Sequence, residues 1–252
     1  MREILIDFSN LCWQCYYAAK CDKQEFLSLL GRKVNEFGER FVVPNNSIIL
    51  VKDNRALSKY QLYPEYKAGR KVPEYDPRPD GEELLMNMGC RSVISPDNEA
   101  DDVICTLVYR EYFRQDLVII ITGDHDLWQL WEIKNVAIFN PIKMEYVKQE
   151  DIQKSFQSYS KHIPLIKALW GDVSDNIPNV VPRMQKQLLP LIKQTDGDLT
   201  EFLSLCASNR GKLSNRCWQL ITSNFKNIER NFQLVKLKRD CALVWNDIDG
   251  KG

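Results

Sequence analysis

Leu117-Val118-Ile119-Ile120-Ile121-Thr122-Gly123-Asp124-His125-Asp126 carries the strongest fold signal in the chain. Its first five residues are Leu, Val and Ile without a polar interruption. Such runs are typical of strands that are buried on both faces, in parallel sheets covered by helices. The run ends at an acidic pair, Asp124 and Asp126. The stretch therefore predicts a central parallel strand with carboxylates at its carboxyl end.

Two other apolar runs repeat this order of strand and aspartate. Residues 4–6 end at Asp7, and residues 47–51 are followed by Lys52 and Asp53. Ser9 or Asn10 is expected to cap a helix that runs toward Lys20. The remaining elements predicted before residue 150 are strands at 92–95 and 136–139 and helices at 84–89 and 100–113. Strands alternating with helices predict an α/β fold around a mostly parallel sheet.

Helical patterns dominate after residue 150. The predicted helices are at residues 163–170, 185–194, 199–207 and 217–237. We therefore expect an α/β core over residues 1–150 and a helical lobe over residues 151–252, packed closely enough that they could form one continuous domain. The least structured stretch is expected at residues 68–81, which hold three prolines and two glycines.

The composition is that of a soluble globular protein without a global preference for nucleic acid. The 252 residues include 34 basic and 34 acidic side chains, so the formal net charge is zero. Binding to a polyanion must then come from local segregation of charge. Cys12 and Cys15 form a C-x-x-C motif without a second pair at zinc-finger spacing, so we interpret them as reduced thiols on a helix. The sequence shows neither a signal-peptide pattern nor a membrane-spanning run, which predicts a cytoplasmic protein without membrane contact.

Carboxylates from separate segments are expected to meet at one edge of the sheet. The carboxyl ends of parallel strands share an edge, and three of the predicted strands end at an aspartate. Two further acidic motifs are Glu-Ala-Asp-Asp and Asp-x-x-Asp. The candidates are Asp7, Asp53, Glu99, Asp101, Asp102, Asp124, Asp126, Asp172 and Asp175. Each could singly be a helix cap or a turn residue, but independent caps have no reason to recur at successive strand ends.

Such a cluster needs cations, because like charges repel and raise one another's pKa. Oxygen ligands without nearby histidine or cysteine favour Mg²⁺ or Mn²⁺ over zinc. Two such ions about 4 Å apart can clamp a phosphodiester, one activating water and one stabilising the leaving oxygen. The residues therefore predict a Mg²⁺ site, for which Mn²⁺ would substitute, and two such ions would suit phosphodiester hydrolysis.

The order of these motifs resembles the 5′–3′ exonuclease and flap endonuclease family. The resemblance spans about residues 1–190 and rests on Asp7, Asp53, Tyr66-Lys67-Ala68-Gly69-Arg70, Glu99-Ala100-Asp101-Asp102, Thr122-Gly123-Asp124-His125-Asp126-Leu127 and Gly171-Asp172-Val173-Ser174-Asp175-Asn176-Ile177-Pro178. It implies a PIN-like core in which the nine acidic residues surround two divalent ions. The absence of a polymerase domain looks like a stand-alone phage or bacterial version, similar to phage RNase H-type enzymes.

The resemblance also implies roles for basic and aromatic residues. Lys67 and Arg70 would contact the scissile phosphate, and Tyr66 would offer its ring to an unpaired base, although a core or hinge aromatic is an equal alternative. Lys59 matches only loosely a position that is often Arg. Lys59, Lys71, Arg183 and Lys186 are the candidate nucleic-acid-binding cations.

Three departures from the family pattern change these expectations. The arch or clamp region near residues 66–90 is short and broken by proline, so we expect a reduced or mobile arch. Asn179-Val180-Val181-Pro182-Arg183-Met184-Gln185-Lys186 lacks the glycines of the family's hairpin, so no K⁺ site is expected. Pro182 could instead start a helix from which Arg183 and Lys186 reach a duplex phosphate. His125 is expected to face outward.

The function expected from the sequence is a structure-specific 5′ nuclease that cuts DNA, or RNA paired with DNA, near a 5′ end or flap. It would act as a monomer, in the bacterial host cytoplasm if phage-encoded, with replication proteins as candidate partners. Two alternatives stay open, a PIN-type ribonuclease and a catalytically weak DNA-end-binding module. A phosphatase with an aspartate nucleophile and a dinucleotide-binding protein fit less well, because Ser9 replaces the second aspartate and the first turn lacks glycines.

Overall fold

A single mixed sheet forms the centre of the protein. The computed structural model describes residues 2–70, 73–110, 117–182 and 185–246. Within them, seven strands are arranged in the order β6-β5-β4-β1-β2-β3-β7. The strands are β1 (Arg2–Asp7), β2 (Ile48–Lys52), β3 (Arg91–Ile94), β4 (Leu117–Ile121), β5 (Val136–Asn140), β6 (Glu145–Tyr146) and β7 (Val244–Asn246).

The five inner strands are parallel, and the two edge strands are antiparallel to their neighbours. β1 lies at the centre, with Ile6 opposite Leu50 of β2 and Ile121 of β4. Parallel neighbours in register bring their carboxyl ends to a common level. Asp7 therefore lies beside the residues that follow β2 and β4. The expected mostly parallel α/β sheet is confirmed.

Helices cover both faces of the sheet and continue into the second half of the chain. Within the described residues they are α1 (Phe8–Ala18), α2 (Lys23–Phe41), α3 (Leu57–Leu62), α4 (Arg78–Asn87), α5 (Ala100–Tyr109), α6 (Gln149–Phe156), α7 (Ile163–Trp170), α8 (Gln185–Ile192), α9 (Leu199–Ser208), α10 (Asn215–Ser223) and α11 (Phe225–Val235). Short 3₁₀ turns lie at Asn45–Ser47, Asp126–Leu130, Ser160–His162 and Arg210–Lys212.

Alternate residues of the central strands face two separate cores. Leu5 and Ile120 pack with α5 on one face, whereas Ile4 and Ile121 pack with α1 and α2 on the other. A third core, built from α7 to α11, holds the helical part of the chain together. Burial of each such side chain contributes roughly 1.5–3 kcal/mol, so the two cores fix the orientation of β1 and β4. The acidic strand ends are thus carried by the most buried part of the sheet.

Several element boundaries differ from the sequence predictions. Helix α1 begins at Phe8, because Asp7 itself is the N-cap residue and accepts from the backbone N–H of Asn10 at 3.3 Å. Helix α4 begins at Arg78, earlier than residue 84, with proline in its first turn, where the missing N–H costs nothing. The single helix expected at residues 217–237 is two helices, α10 and α11, separated at Asn224.

The chain returns to the sheet after the helical lobe. We call residues 236–246 the C-terminal strap. Its last part, β7, pairs with β3 at the sheet edge, and Arg91 lies over the ring of Trp245 at 5.6 Å. This strand was not expected from the sequence. Among the helices of the described residues, none combines the length and the apolar character that crossing a bilayer requires.

Candidate active site

Four aspartates converge where β1, β2 and β4 end. We call Asp7, Asp53, Asp101 and Asp124 the first carboxylate group. One oxygen of Asp7 accepts from the Thr122 hydroxyl at 2.9 Å. Asp53 accepts from the backbone N–H of Ala100 at 2.9 Å, which fixes the start of α5 and with it Asp101. Asp124 accepts from the backbone N–H of Asp126 at 2.8 Å. The same aspartate side chains therefore cap local backbone N–H groups and also lie close to one another.

Burial and mutual repulsion raise pKa values in this group. Burial raises the pKa of Asp7 to about 8, and the charges of Asp53 and Asp124 add to the effect. Burial also raises the pKa of Asp101 well above its ordinary value, followed by the charges of Asp124 and Asp7. Each pKa unit corresponds to about 1.4 kcal/mol. The group is therefore held at a cost that a bound cation would relieve.

A partly buried lysine joins Asp126 to Asp172. The ammonium of Lys167, on α7, donates to Asp126 and lies 2.5 Å from an oxygen of Asp172. Burial raises the pKa of Asp126 to about 6, although the charge of Lys167 acts to lower it. Burial acts to lower the pKa of Lys167, but Asp126 and Asp172 raise it above its ordinary value. Lys167 is therefore a charged partner of both carboxylates.

A tight turn presents the last two acids of the edge. Asp172 and Ile177 form an antiparallel bridge across the turn. Gly171 precedes it with a φ of +75°, and a Cβ there would lie 2.4 Å from the Ile177 carbonyl oxygen. Glycine is therefore required at this position. Asp172 also accepts from the backbone N–H of Ser174 at 2.8 Å.

The Tyr66-Lys67-x-x-Arg70 segment lies directly against Glu99 and Asp175. Lys67 donates to Glu99, and Arg70 donates to Asp175 at 2.8 Å. The Tyr66 hydroxyl lies 2.9 Å from an oxygen of each carboxylate. Burial alone would raise the pKa of Glu99, but Lys59 and Lys67 lower it to about 2. The structure thus brings together all three residues that the sequence singled out as catalytic.

The ring of Tyr66 is in a different position from the one expected. Only 1% of this residue is exposed, and its ring packs against Ile177, Leu234 and Val235. The ring face is therefore not offered to a base in this structure, and the core interpretation describes it better. Its hydroxyl is the part that reaches the site, because Glu99 and Asp175 supply acceptors at the buried end.

Lys59 and Asp102 also differ from their expected roles. Lys59 is 6% exposed and lies 2.8 Å from Glu99 and 3.1 Å from Asp102, so it is a buried counter-ion and not a surface contact for nucleic acid. Asp102 is fully buried and accepts from the backbone N–H of Lys238 at 3.0 Å. The Asp102 carboxylate is therefore engaged by Lys59 and the backbone of Lys238, whereas Asp101 is the residue of this motif that interacts with Asp124, Asp7 and Asp53.

The remaining predicted cations are only partly described. Lys71 and Arg183 lie outside the described residues. Lys186 is exposed on α8, which the structure describes from Gln185 onward. Arg70 keeps 58% of its side chain exposed while it pairs with Asp175. Arg70 and Lys186 are therefore available to an anionic ligand, whereas Lys59 is not.

The donor set suits a hard divalent cation, but the carboxylates would have to move toward it. Within residues 2–70, 73–110, 117–182 and 185–246, no three acidic, histidine or cysteine side chains are close enough to share an ion as they stand. The oxygen-only donors and the raised pKa values of Asp7 and Asp101 nevertheless fit such an ion. His125 is exposed and stacks on Trp128 at 3.8 Å, so it does not join the donors.

Sequence reasoning missed the residues that hold the acids in place. Lys167 precedes Asp172 by five positions, which would have been a usable signal on a helix that ends just before the acidic turn. Asn10 accepts from the backbone N–H of Gly123 at 2.9 Å and so ties α1 to the β4 end. Thr122 bonds to Asp7 and accepts from the N–H of Asp124 at 2.9 Å. Nothing in the local sequence indicates the contact between Asn10 and Gly123 or the contact between Thr122 and Asp7.

Sequence comparison identifies the family to which the chain is related. A model of the family described as 5′-3′ exonuclease, N-terminal resolvase-like domain, matches residues 2–157. DNA polymerase I of Mycobacterium tuberculosis is 29% identical over 255 residues, which cover 96% of this chain and 28% of the polymerase. The chain thus spans little more than a quarter of such polymerases. The flap endonuclease Xni of Psychromonas ingrahamii is 26% identical, with 81% of this chain and 76% of that protein covered.

Structural comparison confirms the fold. The T5 D15 protein co-crystallised with metal ions superposes with a TM-score of 0.72 at 18% identity, covering 93% of this chain and 89% of that one. The catalytic core of Rad2 in complex with DNA substrate gives 0.51 at 18% identity, covering 95% and 72%. These neighbours share the PIN-like sheet, and the resemblance drawn from the sequence is confirmed. The family model matches more than half of the chain, so the chain belongs to the family of the 5′-3′ exonuclease N-terminal resolvase-like domain.

Proposed function

We propose that the chain is a divalent-metal-dependent 5′ nuclease that hydrolyses phosphodiesters near the 5′ end or 5′ flap of DNA. The observation that carries this proposal is the meeting of carboxylates from three strand ends, the start of α5 and the turn after α7, beside a basic segment, Lys67 to Arg70. The named activities of relatives support it: a 5′-3′ exonuclease of Buchnera aphidicola is 24% identical over 99% of this chain. A T5 D15 flap endonuclease bound to DNA and metal ions has a TM-score of 0.69.

Mg²⁺ is the ion we propose, with Mn²⁺ as its substitute. Asp7, Asp53, Asp101 and Asp124 would hold it, and Asp126, Asp172, Asp175 and Glu99 lie along the same edge as candidates for a second ion. When bound, the ions would neutralise the carboxylates, polarise a phosphate oxygen and lower the pKa of water. Oxygen donors without histidine or cysteine support this choice over zinc.

The chain's own cations would hold the scissile phosphate. Arg70 is half exposed and offers a planar fork, and Lys67 lies 3.8 Å from Asp175. A phosphate that enters between them would exchange carboxylate partners for phosphate oxygens, and the two cations would then stabilise the charge that builds up during the reaction. Water would form the new bond to phosphorus while the bond to the 3′ oxygen breaks. The products are a 5′-phosphate and a 3′-hydroxyl.

The helical lobe would bind the duplex side of the substrate. Lys186 is exposed at the start of α8, and Arg183 precedes it in the sequence. We propose that these two residues contact duplex phosphates as side-chain charges, without a K⁺ ion. Phosphate contacts of this kind fix register and carry little sequence preference. An RNA primer paired with DNA is a second substrate of the same chemistry.

Cleavage of 5′-labelled substrates tests the proposal. Flap, nicked, blunt and RNA–DNA hybrid duplexes are incubated with the chain and Mg²⁺, Mn²⁺ or EDTA. We expect metal-dependent release of short 5′ products, and loss of this activity in the double variant Asp124→Asn, Asp126→Asn. Unchanged cleavage by the double variant would make the metal assignment wrong. Tight binding without cleavage under any metal would favour the end-binding module, and cleavage of single-stranded RNA alone would favour a PIN-type ribonuclease.

A further inference from the structure

The acidic edge has two halves that differ in how their charge is compensated. In the first carboxylate group, the oxygens of Asp7, Asp53 and Asp124 accept from a hydroxyl or from backbone N–H groups. No lysine or arginine of the described residues forms an ion pair with this group; the pairs observed elsewhere join other acids. Arg78 interacts with Asp53 at longer range, but its Nε and Nη2 both donate to Asp76. The first group therefore has no cation paired with it in the described part of the chain.

The other half carries its own cations. We call Glu99, Asp126, Asp172 and Asp175 the second carboxylate group. Its ion pairs are Lys59–Glu99, Lys67–Glu99, Lys67–Asp175, Arg70–Asp175, Lys167–Asp126 and Lys167–Asp172. Four cations thus pair with these four carboxylates, and one of them, Lys59, is shared with Asp102. The Lys167 and Lys67 side chains are only 12% and 16% exposed, so solvent screens these pairs weakly.

A divalent ion meets different conditions at the two groups. At the first, it gains attraction and removes the repulsion among aspartates. At the second, it must displace an ammonium or share carboxylates with it. An ammonium and a divalent ion within about 4 Å of each other repel about twice as strongly as two unit charges at that distance. Lys167 is the main obstacle, since it lies between Asp126 and Asp172 and bonds to both.

We propose that Lys167 stands in for the second divalent ion in the free protein, so that the chain alone binds one ion tightly, at the first carboxylate group. The second group accepts an ion only after a phosphate draws Lys67 and Arg70 away or Lys167 withdraws. Lys167 is thus a positioning residue that holds Asp126 and Asp172 together until substrate arrives. This inference rests on the proposed function for the assignment of the edge to metal binding.

Titration of the full chain with Mn²⁺, without DNA, measures the two sites directly. Electron paramagnetic resonance of free Mn²⁺ gives the number of ions bound and their Kd values. We expect one tight ion per chain and a second at least ten-fold weaker. Asp124→Asn should remove the tight ion, whereas Asp172→Asn should leave its Kd within two-fold. Lys167→Met, which keeps the length of the side chain, should tighten the second site about ten-fold or more.

Lys161→Met is the matched control, because Lys161 pairs with Asp196 and contacts neither carboxylate group. The proposal is overturned if the unaltered chain binds two ions with similar Kd values, if it binds none, or if Lys167→Met titrates like Lys161→Met. Should circular dichroism show that Lys167→Met does not fold, Lys67→Met exposes the same group and must tighten the second site. A chain that binds one Mn²⁺ but cuts no 5′ end would contradict the proposed function alone. A chain that cuts but binds two ions equally would contradict this inference alone.

Discussion

Single side chains of the acidic edge work through partners that are buried with them. Tyr66 is the clearest case, because a ring expected at the surface is enclosed and its hydroxyl meets Glu99 and Asp175 at 2.9 Å. One hydroxyl hydrogen can be donated to only one carboxylate at a time. The hydroxyl therefore couples the positions of two acids that come from distant parts of the chain, before α5 and after α7. The sequence suggested a role for the aromatic ring of Tyr66, but the part of Tyr66 that contacts the acidic edge is its hydroxyl group.

Tyr66→Phe separates the two interpretations of this residue. Phenylalanine keeps the ring, so a stacking platform would survive the change. We expect the cleavage rate constant to fall roughly ten-fold with little change in KM, and the free energy of unfolding to fall by about 1–3 kcal/mol, because a hydrogen bond to a charged group is lost. Single-turnover cleavage and urea unfolding measure both quantities. Tyr63→Phe is the control, since its hydroxyl lies 3.2 Å from Glu65 at the surface. Equal activity of both variants would restore the stacking interpretation.

The acids could be predicted from the sequence, but their cations could not. Asp7, Asp53 and Asp124 each follow an apolar run, and a parallel sheet brings such positions together by its geometry. Lys167 is 41 residues from Asp126 in the sequence, and no periodic pattern links the two. Lys59 was expected to contact nucleic acid because it loosely matches a family position that is often Arg. Its burial depends on α5 and the strap, which only the assembled fold supplies.

At the scale of elements, long apolar runs were predictable and short or amphipathic elements were less so. β4 is five apolar residues, whereas β7 is three residues whose pairing partner is the exposed edge of β3. Helix α2 was not predicted, although Phe26, Leu30 and Phe37 lie on its buried face. The periodic signal of α2 was in the sequence. The sequence held no comparable signal for β7, because this short strand forms only by pairing with β3 at the edge of the sheet.

The C-terminal strap fastens the helical lobe to the helix that carries Asp101. The Thr106 hydroxyl donates to the Asp102 carbonyl at 2.9 Å and accepts from the N–H of Cys241 at 3.1 Å. The Lys238 ammonium reaches Ser58 at 2.9 Å and Asn98 at 2.8 Å. These contacts join α3, α5 and the strap around the buried Lys59. The strap therefore bears on the geometry of the acidic edge, although it lies far from it in sequence.

Thr106→Val should loosen this strap. The substitution keeps the shape of the side chain but leaves the Cys241 N–H without its acceptor, at a cost of about 1–3 kcal/mol. We expect faster tryptic cleavage after Lys238 and Arg239 under native conditions, measured by mass spectrometry. Thr222→Val is the control, because the Thr222 hydroxyl bonds only within the exposed face of α10. Cleavage rates that match between the two variants would mean that Thr106 does not hold the strap.

At the scale of the whole molecule, a chain of zero net charge must bind a polyanion through a few placed cations. The 34 acids balance the 34 bases, and several buried lysines are already committed to carboxylates. The cations proposed to contact duplex phosphate are therefore exposed ones outside these pairs, such as Lys186. Few phosphate contacts imply a shallow dependence of affinity on salt. Removing one phosphate contact should therefore measurably change the slope of log affinity against log salt concentration.

Lys186→Ala should lower the slope of log affinity against log salt concentration by about 0.9, the value for one phosphate contact on duplex DNA. Affinity for a nicked duplex should fall, while the rate of the chemical step at saturating substrate should stay within two-fold, because Lys186 contacts neither carboxylate group. Fluorescence anisotropy between 50 and 200 mM salt, roughly the range over which such slopes are resolved, gives the first quantity, and single-turnover cleavage gives the second. Arg2→Ala is the control: Arg2 begins β1 and donates to the Phe41 carbonyl at 2.9 Å, at the sheet edge opposite Asp7. If Lys186→Ala and Arg2→Ala gave the same salt slope as the unaltered chain, duplex binding would have to be assigned to a different face of the helical lobe.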